Sequence, residues 1–232
     1  MSVITMPADL SVGQASMAQV RYDIVEQSES TGAQATRLLG PPRWQLSMRS
    51  QPVMDFAQAG KWEALVYGAR GRVNHIAAYD PGRVAPAGTL RGSPRLLDPV
   101  AAGATSASLG GGTAGTLLAG DLLQISTGLG TSQTVKVIAD TVSSPAASGA
   151  FVWSNAGTFV WSNGGTFVWS NDGSIAVTFE PPLRAAYVAD TPVAWSRPVI
   201  YCKAQAANQG GSYTPGFIGQ GGYALDLLEA FS

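Results

Sequence analysis

The sequence predicts a mainly β fold, α+β with one main helix, built as a β-sandwich or barrel carrying a small inserted β module. Three observations carry this. Charged residues make up 12% of the 232 residues, against a usual ~25%, while 45% are hydrophobic and 28 are Gly. Several short stretches alternate apolar and polar residues, the period of a half-buried strand. One segment alone places its apolar residues at helical spacing.

"QVRYDIV" (19–25) alternates, with Val20, Tyr22 and Ile24 on one face. "RWQLSMR" (43–49) does the same with Trp44, Leu46 and Met48. Between them "QSESTGAQATRLLGPP" reads as a polar loop closed by Gly-Pro-Pro. Residues 53–68 form the helix candidate: Phe56, Ala59, Trp62 and Val66 recur at i+3 and i+4, and Leu65 widens the stripe. Gly60 weakens it by about 1 kcal/mol relative to Ala. "VNHIAAY" (73–79) is a strand, followed by a turn-rich connector, "DPGRVAPAGTLRGSPR".

Composition changes near Asp98. From Pro99 to Ser174 the charged residues are Asp121, Lys136, Asp140 and Asp172. Strand signals recur at 105–109, 121–126, 133–139 and 174–180, with turns between them. "GGGTAGTLLAGD" (110–121) reads as a flexible hairpin connection, with Asp121 at its turn. "PVAWSRP" (192–198) and "VIYCKAQ" (199–205) follow. The last element, 222–231, alternates Tyr223, Leu225 and Leu227 as a strand, a short helix being the alternative. The expected organisation is an outer domain, 1–97 plus 191–232, with a low-charge β module inserted at 98–190.

Composition also excludes. A net charge of −1 gives no basic field for nucleic acid or anionic lipid. One cysteine, Cys202, and one histidine, His75, leave no disulfide framework and no multi-Cys or paired-His metal site. The expectation is no metal, no cofactor and no catalytic residue. His75 reads as a satisfied structural histidine and Cys202 as a buried thiol sharing a strand face with Ile200. The Gly-rich run lacks the Lys-Ser/Thr of a phosphate loop. Asp121, Asp140 and Glu180 sit at strand ends; as an acid pair for glycoside hydrolysis they would need a separation of ~5–9.5 Å. No run reaches ~18 apolar residues and the first residues lack a basic n-region, so neither a membrane span nor a secretory signal is expected. Residues 21–98 hold nine Arg and one Lys against seven acidic residues. Arg70, Arg72, Arg83, Arg91 and Arg95 read as partners for ion pairs between subunits, or as a channel lining.

"WEALVYGARGRVNHIAAYD", "AGTLRGSP", "AAGATSASL", "LLAGDLLQI", "VKVIAD" and "VTFEPPLR" follow one another over residues 40–200. In this order and spacing they resemble the distal tail proteins of long-tailed bacteriophages. The resemblance implies a structural virion protein without enzyme activity. It implies a homohexameric ring at the tail tip, joining a tail tube protein to hub and fibre proteins, with DNA passing through the channel without specific binding. A carbohydrate- or receptor-binding β module is the alternative function, and another tube or hub component a third.

One feature lies outside the family pattern. "GAFVWSNA" (149–156), "GTFVWSNG" (157–164) and "GTFVWSND" (165–172) are near-identical octets. Each reads as a five-residue strand and a three-residue Gly-containing turn. Folding 158–162 on 166–170 sets Trp161 opposite Phe167 and Phe159 opposite Trp169. Extended to the first copy, this gathers Phe151, Trp153, Phe159, Trp161, Phe167 and Trp169 on one face. Six such side chains offer on the order of 1,000 Å², above the ~300–600 Å² patch of an ordinary monomer. Such a face serves as an assembly contact, packs on its own module as a tolerated duplication, or forms a receptor-binding platform. These six residues are the candidate interface.

Overall fold

Backbone pairing in the computed structural model is mainly β: strands take 50% of the chain and helix 7%. The structure describes residues 2–51, 55–113, 115–142, 148–152, 166–170, 174–205, 211–213 and 221–231. In chain order these form β1 (Val3–Thr5), β2 (Val12–Gln27), β3 (Gln34–Ser50), α1 (Phe56–Gly68), β4 (His75–Ala78), β5 (Arg91–Leu96), β6 (Ser106–Thr113), β7 (Thr116–Leu117) and β8 (Leu122–Ile125). Then come β9 (Gln133–Val137), β10 (Thr141–Val142), β11 (Ser148–Val152), β12 (Thr166–Ser170), β13 (Ile175–Glu180), β14 (Val193–Ala194), β15 (Ile200–Ala204), β16 (Gly211–Tyr213) and β17 (Gly221–Glu229).

Contacts divide the chain into two units. The first is Met1–Ala85, Leu122–Val135 and Ala194–Ser232; the second is Pro86–Asp121 and Lys136–Val193. The sequence placed its boundaries at 97/98 and 190/191. The contact boundaries fall at Ala85/Pro86 and Val193/Ala194, and Leu122–Val135 returns to the first unit. Buried hydrogen bonds hold it there. The Trp44 indole N–H donates to the Thr134 carbonyl at 2.8 Å. The Thr134 hydroxyl donates to the Val199 carbonyl, and the Val199 N–H donates to Gln124 Oε1, both at 2.8 Å.

The first unit is organised by a sheet in the order β1-β4-β15-β17-β3-β2, with β16 added on β17. The β1–β4 pair is parallel; its neighbours are antiparallel. Trp44, Leu46 and Met48 are buried on one side of β3, as their alternation predicts. They meet Ile76, Cys202, Leu225 and Leu227 from β4, β15 and β17 in one core. The helix covers it with Trp62, Leu65 and Val66. Trp62 is fully buried, its ring 6.2 Å from that of Tyr223 at 11°. Its indole N–H donates to the Ser11 carbonyl at 2.9 Å. Asp55 caps the helix by accepting the Gln58 N–H at 2.7 Å, the standard answer to an orphaned first-turn donor. The start of the expected helix, 53 and 54, lies outside the described residues. Phe56 departs from its expected place on the core stripe: it begins the helix and is 73% exposed. The final element is a strand, so the helical alternative for 222–231 is set aside.

The second unit pairs β5-β6-β13 and the end of β9 in that order. Ile175, Val177 and Phe179 alternate inward along β13. Two expected loops are partly strand. The connector 80–95 carries most of β5, and the glycine run opens as the end of β6. Gly110 of this run and Gly88 of the connector sit in close packing. A Cβ on Gly110 would sit 2.4 Å from Leu97 Cδ2, and one on Gly88 2.1 Å from the Thr116 carbonyl oxygen. Only a residue without Cβ admits that approach.

The largest departure is residues 27–42, expected as a loop. β2 and β3 instead continue as a long antiparallel hairpin, paired from Val12↔Ser50 to Gln27↔Gln34. Register shifts fall between Val12 and Gln14 and between Val20 and Asp23, the latter opposite the stretch from Leu38 to Arg43. Pro41 and Pro42 lie in that stretch. They have no N–H to give a ladder, and such irregularities are where a strand tolerates proline.

Candidate functional site

The distal half of this hairpin, residues 21–27 and 34–40, forms an arm. Its turn closes with the Ser28 N–H donating to the Ala33 carbonyl at 2.9 Å and the Gly32 N–H to the Ser28 carbonyl at 2.8 Å. Gly32 sits at φ 67°, the left-handed region that favours glycine. Register puts Asp23 opposite Leu38, Ile24 opposite Arg37, Val25 opposite Thr36 and Glu26 opposite Ala35. Opposed residues share a face. Val25 and Leu38 therefore lie on one face and Ile24 on the other. Exposure is 58% for Val25, 55% for Leu38, 59% for Leu39 and 44% for Ile24. The expected buried face of Val20, Tyr22 and Ile24 therefore does not form beyond Val20. A two-stranded ribbon with large apolar side chains on both faces is at best marginally stable in water. Local periodicity does not predict this arm. The signal is two apolar clusters, "YDIV" and "RLL", placed symmetrically about a Ser/Thr/Gly turn.

The helix shows a second unpartnered apolar face. Phe56 is 73% exposed and Tyr67 is 74% exposed. Gly60 and Ala64 stand exposed between them, and a Cβ on Gly60 would meet nothing within 4 Å. Glu63 beside this stripe accepts the Tyr223 hydroxyl at 2.8 Å. Lys61 is paired with Asp9.

Three of the six candidate aromatics, Trp153, Phe159 and Trp161, lie outside the described residues. So do 158–162 and the turn 163–165, on which the expected hairpin of second and third copies rests. The described pairing joins the first copy to the third: β11 and β12 are antiparallel, with Phe151 opposite Phe167 and Trp169 opposite Gly149.

Two carboxylates of the inserted segment, Asp121 and Asp140, are engaged in structure. Asp121 is buried and accepts three backbone N–H groups: Ala87 at 2.7 Å, Gly88 at 3.2 Å and Leu118 at 2.8 Å. Asp140 accepts the Ala119 N–H at 2.7 Å. The two aspartates of "LLAGD" and "VIAD" thus pin the turn between β7 and β8. A cleft of about 300 Å³ in the second unit is lined by Asp98, Val100, Ser106, Ser108 and Ala176. Asp98 is the one carboxylate in that lining, where paired-carboxylate chemistry needs two.

His75 is buried as expected but is not satisfied: neither ring nitrogen has a hydrogen-bond partner. Burial, then the charges of Lys203 and the N-terminus, push its pKa below the usual histidine value. Cys202 is fully buried with Ile200 on one side of β15. Burial, with Glu229 nearby, raises its thiol pKa well above the usual range, the condition of an inert cysteine. Among the arginines, Arg95 pairs with Asp190 at 3.1 Å, Arg83 with Asp80 at 3.9 Å, and Arg91 donates to the Gly88 and Leu90 carbonyls. Arg70 and Arg72 stand exposed after the helix, Arg72 donating to the Gln205 carbonyl.

Among the described residues no group of three or more His, Cys, Asp or Glu is placed to hold a metal ion. No helix among the described residues is long and apolar enough to cross a membrane. Neither the protein-family models nor the curated proteins contain a match to this chain.

Proposed function

We propose that this chain is a structural assembly subunit, a distal tail protein of the long-tailed phage type. In this reading six copies close into a ring at the tail tip, joining the tail tube above to hub and fibres below. DNA passes through the ring, and the subunit performs no chemistry. The observation that carries the reading is the arm, whose apolar side chains are exposed on both faces. A chain with 12% charged residues and such an arm is suited to being covered by neighbours. Subunit contacts of that kind, between different patches on successive copies, build rings when the rotation closes. The ordered motifs from "WEALVYGARGRVNHIAAYD" to "VTFEPPLR" support the tail-tip placement. The aromatic octets then serve as an added assembly contact.

The test is negative-stain electron microscopy of the purified chain with a parallel mass measurement. Six-fold rings of six times 23.9 kDa are expected. Open-ended polymers would point to a tube component. A monomer that binds glycans, and loses them when Trp153, Trp161 and Trp169 are changed to Ala, would replace the assembly reading with a receptor-binding one.

A further inference from the structure

We infer that the arm of one copy docks on the outer face of α1 in a second copy of this chain; this rests on the assembly reading above and names the contact that makes it. Both surfaces are exposed in the single chain, so they do not cover each other within it. Three features match them.

The first is shape. Phe56 and Tyr67 bracket the small residues Gly60 and Ala64, with Glu63 between them tied to the Tyr223 hydroxyl, leaving a low stretch between two aromatic walls in which a flat ribbon can lie. The second is length. From Asp23, opposite Leu38, to the turn at Ser28 a strand covers about 17 Å at ~3.4 Å per residue, and α1 from Phe56 to Gly68 covers about 18 Å at 1.5 Å per residue. With Leu38 near Phe56 and the ribbon running along the helix, the arm's turn reaches the residues after α1. The third is charge. Residues 22–36 carry Asp23, Glu26 and Glu29 and no basic residue, while residues 64–79 carry Arg70 and Arg72 and no acidic residue. The acidic end of the arm therefore meets the basic end of the helix when the apolar parts are aligned. Donor and acceptor are different patches, so the contact is head-to-tail, and each copy offers an arm to one neighbour and a helix to the other.

The test is a charge swap read by sedimentation velocity at low salt, where exposed pairs are least screened. One variant carries Glu26→Lys and Glu29→Lys; the other carries Arg70→Asp and Arg72→Glu. All four positions are exposed, and circular dichroism checks that both variants fold. Each alone is expected to weaken assembly at least about tenfold, because like charges then face each other. An equimolar mixture is expected to restore it, since each variant's arm then finds an oppositely charged helix on the other. A second measurement places Leu38→Cys and Phe56→Cys in one chain. The native Cys202 is buried, so an oxidised ladder of multimers reports the new pair. If the unmodified chain assembles but the charge variants assemble equally well and no ladder forms, the docking inference falls and the assembly reading stands. If the unmodified chain stays monomeric up to on the order of 100 µM and no ladder forms, both fall.

Discussion

Replacing Asp121 by alanine removes the acceptor of three backbone donors at once. Of these, the Gly88 N–H belongs to a buried residue, whereas Ala87 and Leu118 are exposed. Leaving a buried donor without a partner costs about 1–3 kcal/mol. The two exposed donors recover water, so each forfeits only the net value of a hydrogen bond, about 0.5–1.5 kcal/mol. The sum for Asp121→Ala is about 4 kcal/mol, within a range of about 2–6 kcal/mol. Asp121→Asn keeps one oxygen but turns an amide toward backbone N–H groups, and is expected to cost about 1–2 kcal/mol. Urea unfolding monitored by tryptophan fluorescence measures both. Hydrogen exchange at the Gly88 and Leu118 amides localises the effect, since these donors lose protection first. A change within about 0.5 kcal/mol for Asp121→Ala, the range of an ordinary surface substitution, would refute the clamp described for this turn.

Two glycines are expected to move in opposite directions. Gly60→Ala adds a methyl where nothing lies within 4 Å on an exposed helix face and should stabilise by about 0.5–1 kcal/mol. Gly88→Ala drives its Cβ to 2.1 Å from a backbone carbonyl and should destabilise by at least about 2 kcal/mol; thermal unfolding of the pair decides. His75 titrates at a lower pH folded than unfolded. Its contribution is therefore present above about pH 6.5 and is lost as pH falls from there through the folded value, because the unfolded chain binds the proton first. A His75→Leu variant should show a flatter stability profile between pH 7 and pH 5, and an unchanged slope would remove His75 as its source. Cys202, buried with a raised pKa, should resist a thiol reagent in the folded chain and react fully in denaturant; rapid native labelling would contradict its packing.

The main core and its helix were legible because burial of neighbouring side chains writes a local period. Trp44, Leu46 and Met48 alternate because β3 has one buried side, and Trp62, Leu65 and Val66 recur because α1 covers that side. The chemistry of the second unit's turn was half legible. Asp121 marks a turn, but its partners at Ala87 and Gly88 lie 34 and 33 residues away. Phe56 is spaced i+3 from Ala59 but lies about 120° round the helix from Trp62 and about 180° from Leu65, so it shares the outer face with Tyr67 and is exposed.

What the sequence by itself determined is the set of local periods: which stretches are strands, which one is a helix, and that no cluster of cysteines or histidines exists. What only the tertiary structure decided is pairing and return. The arm's second strand, 34–40, leaves no alternation, because a ribbon exposed on both faces has no buried side to record, and its ladder is made by backbone groups that every residue but proline carries. The return of Leu122–Val135 to the first unit rests on single buried bonds such as Trp44 to Thr134, 90 residues apart. Such bonds are set by where the chain comes back in space, which no window of neighbouring residues encodes.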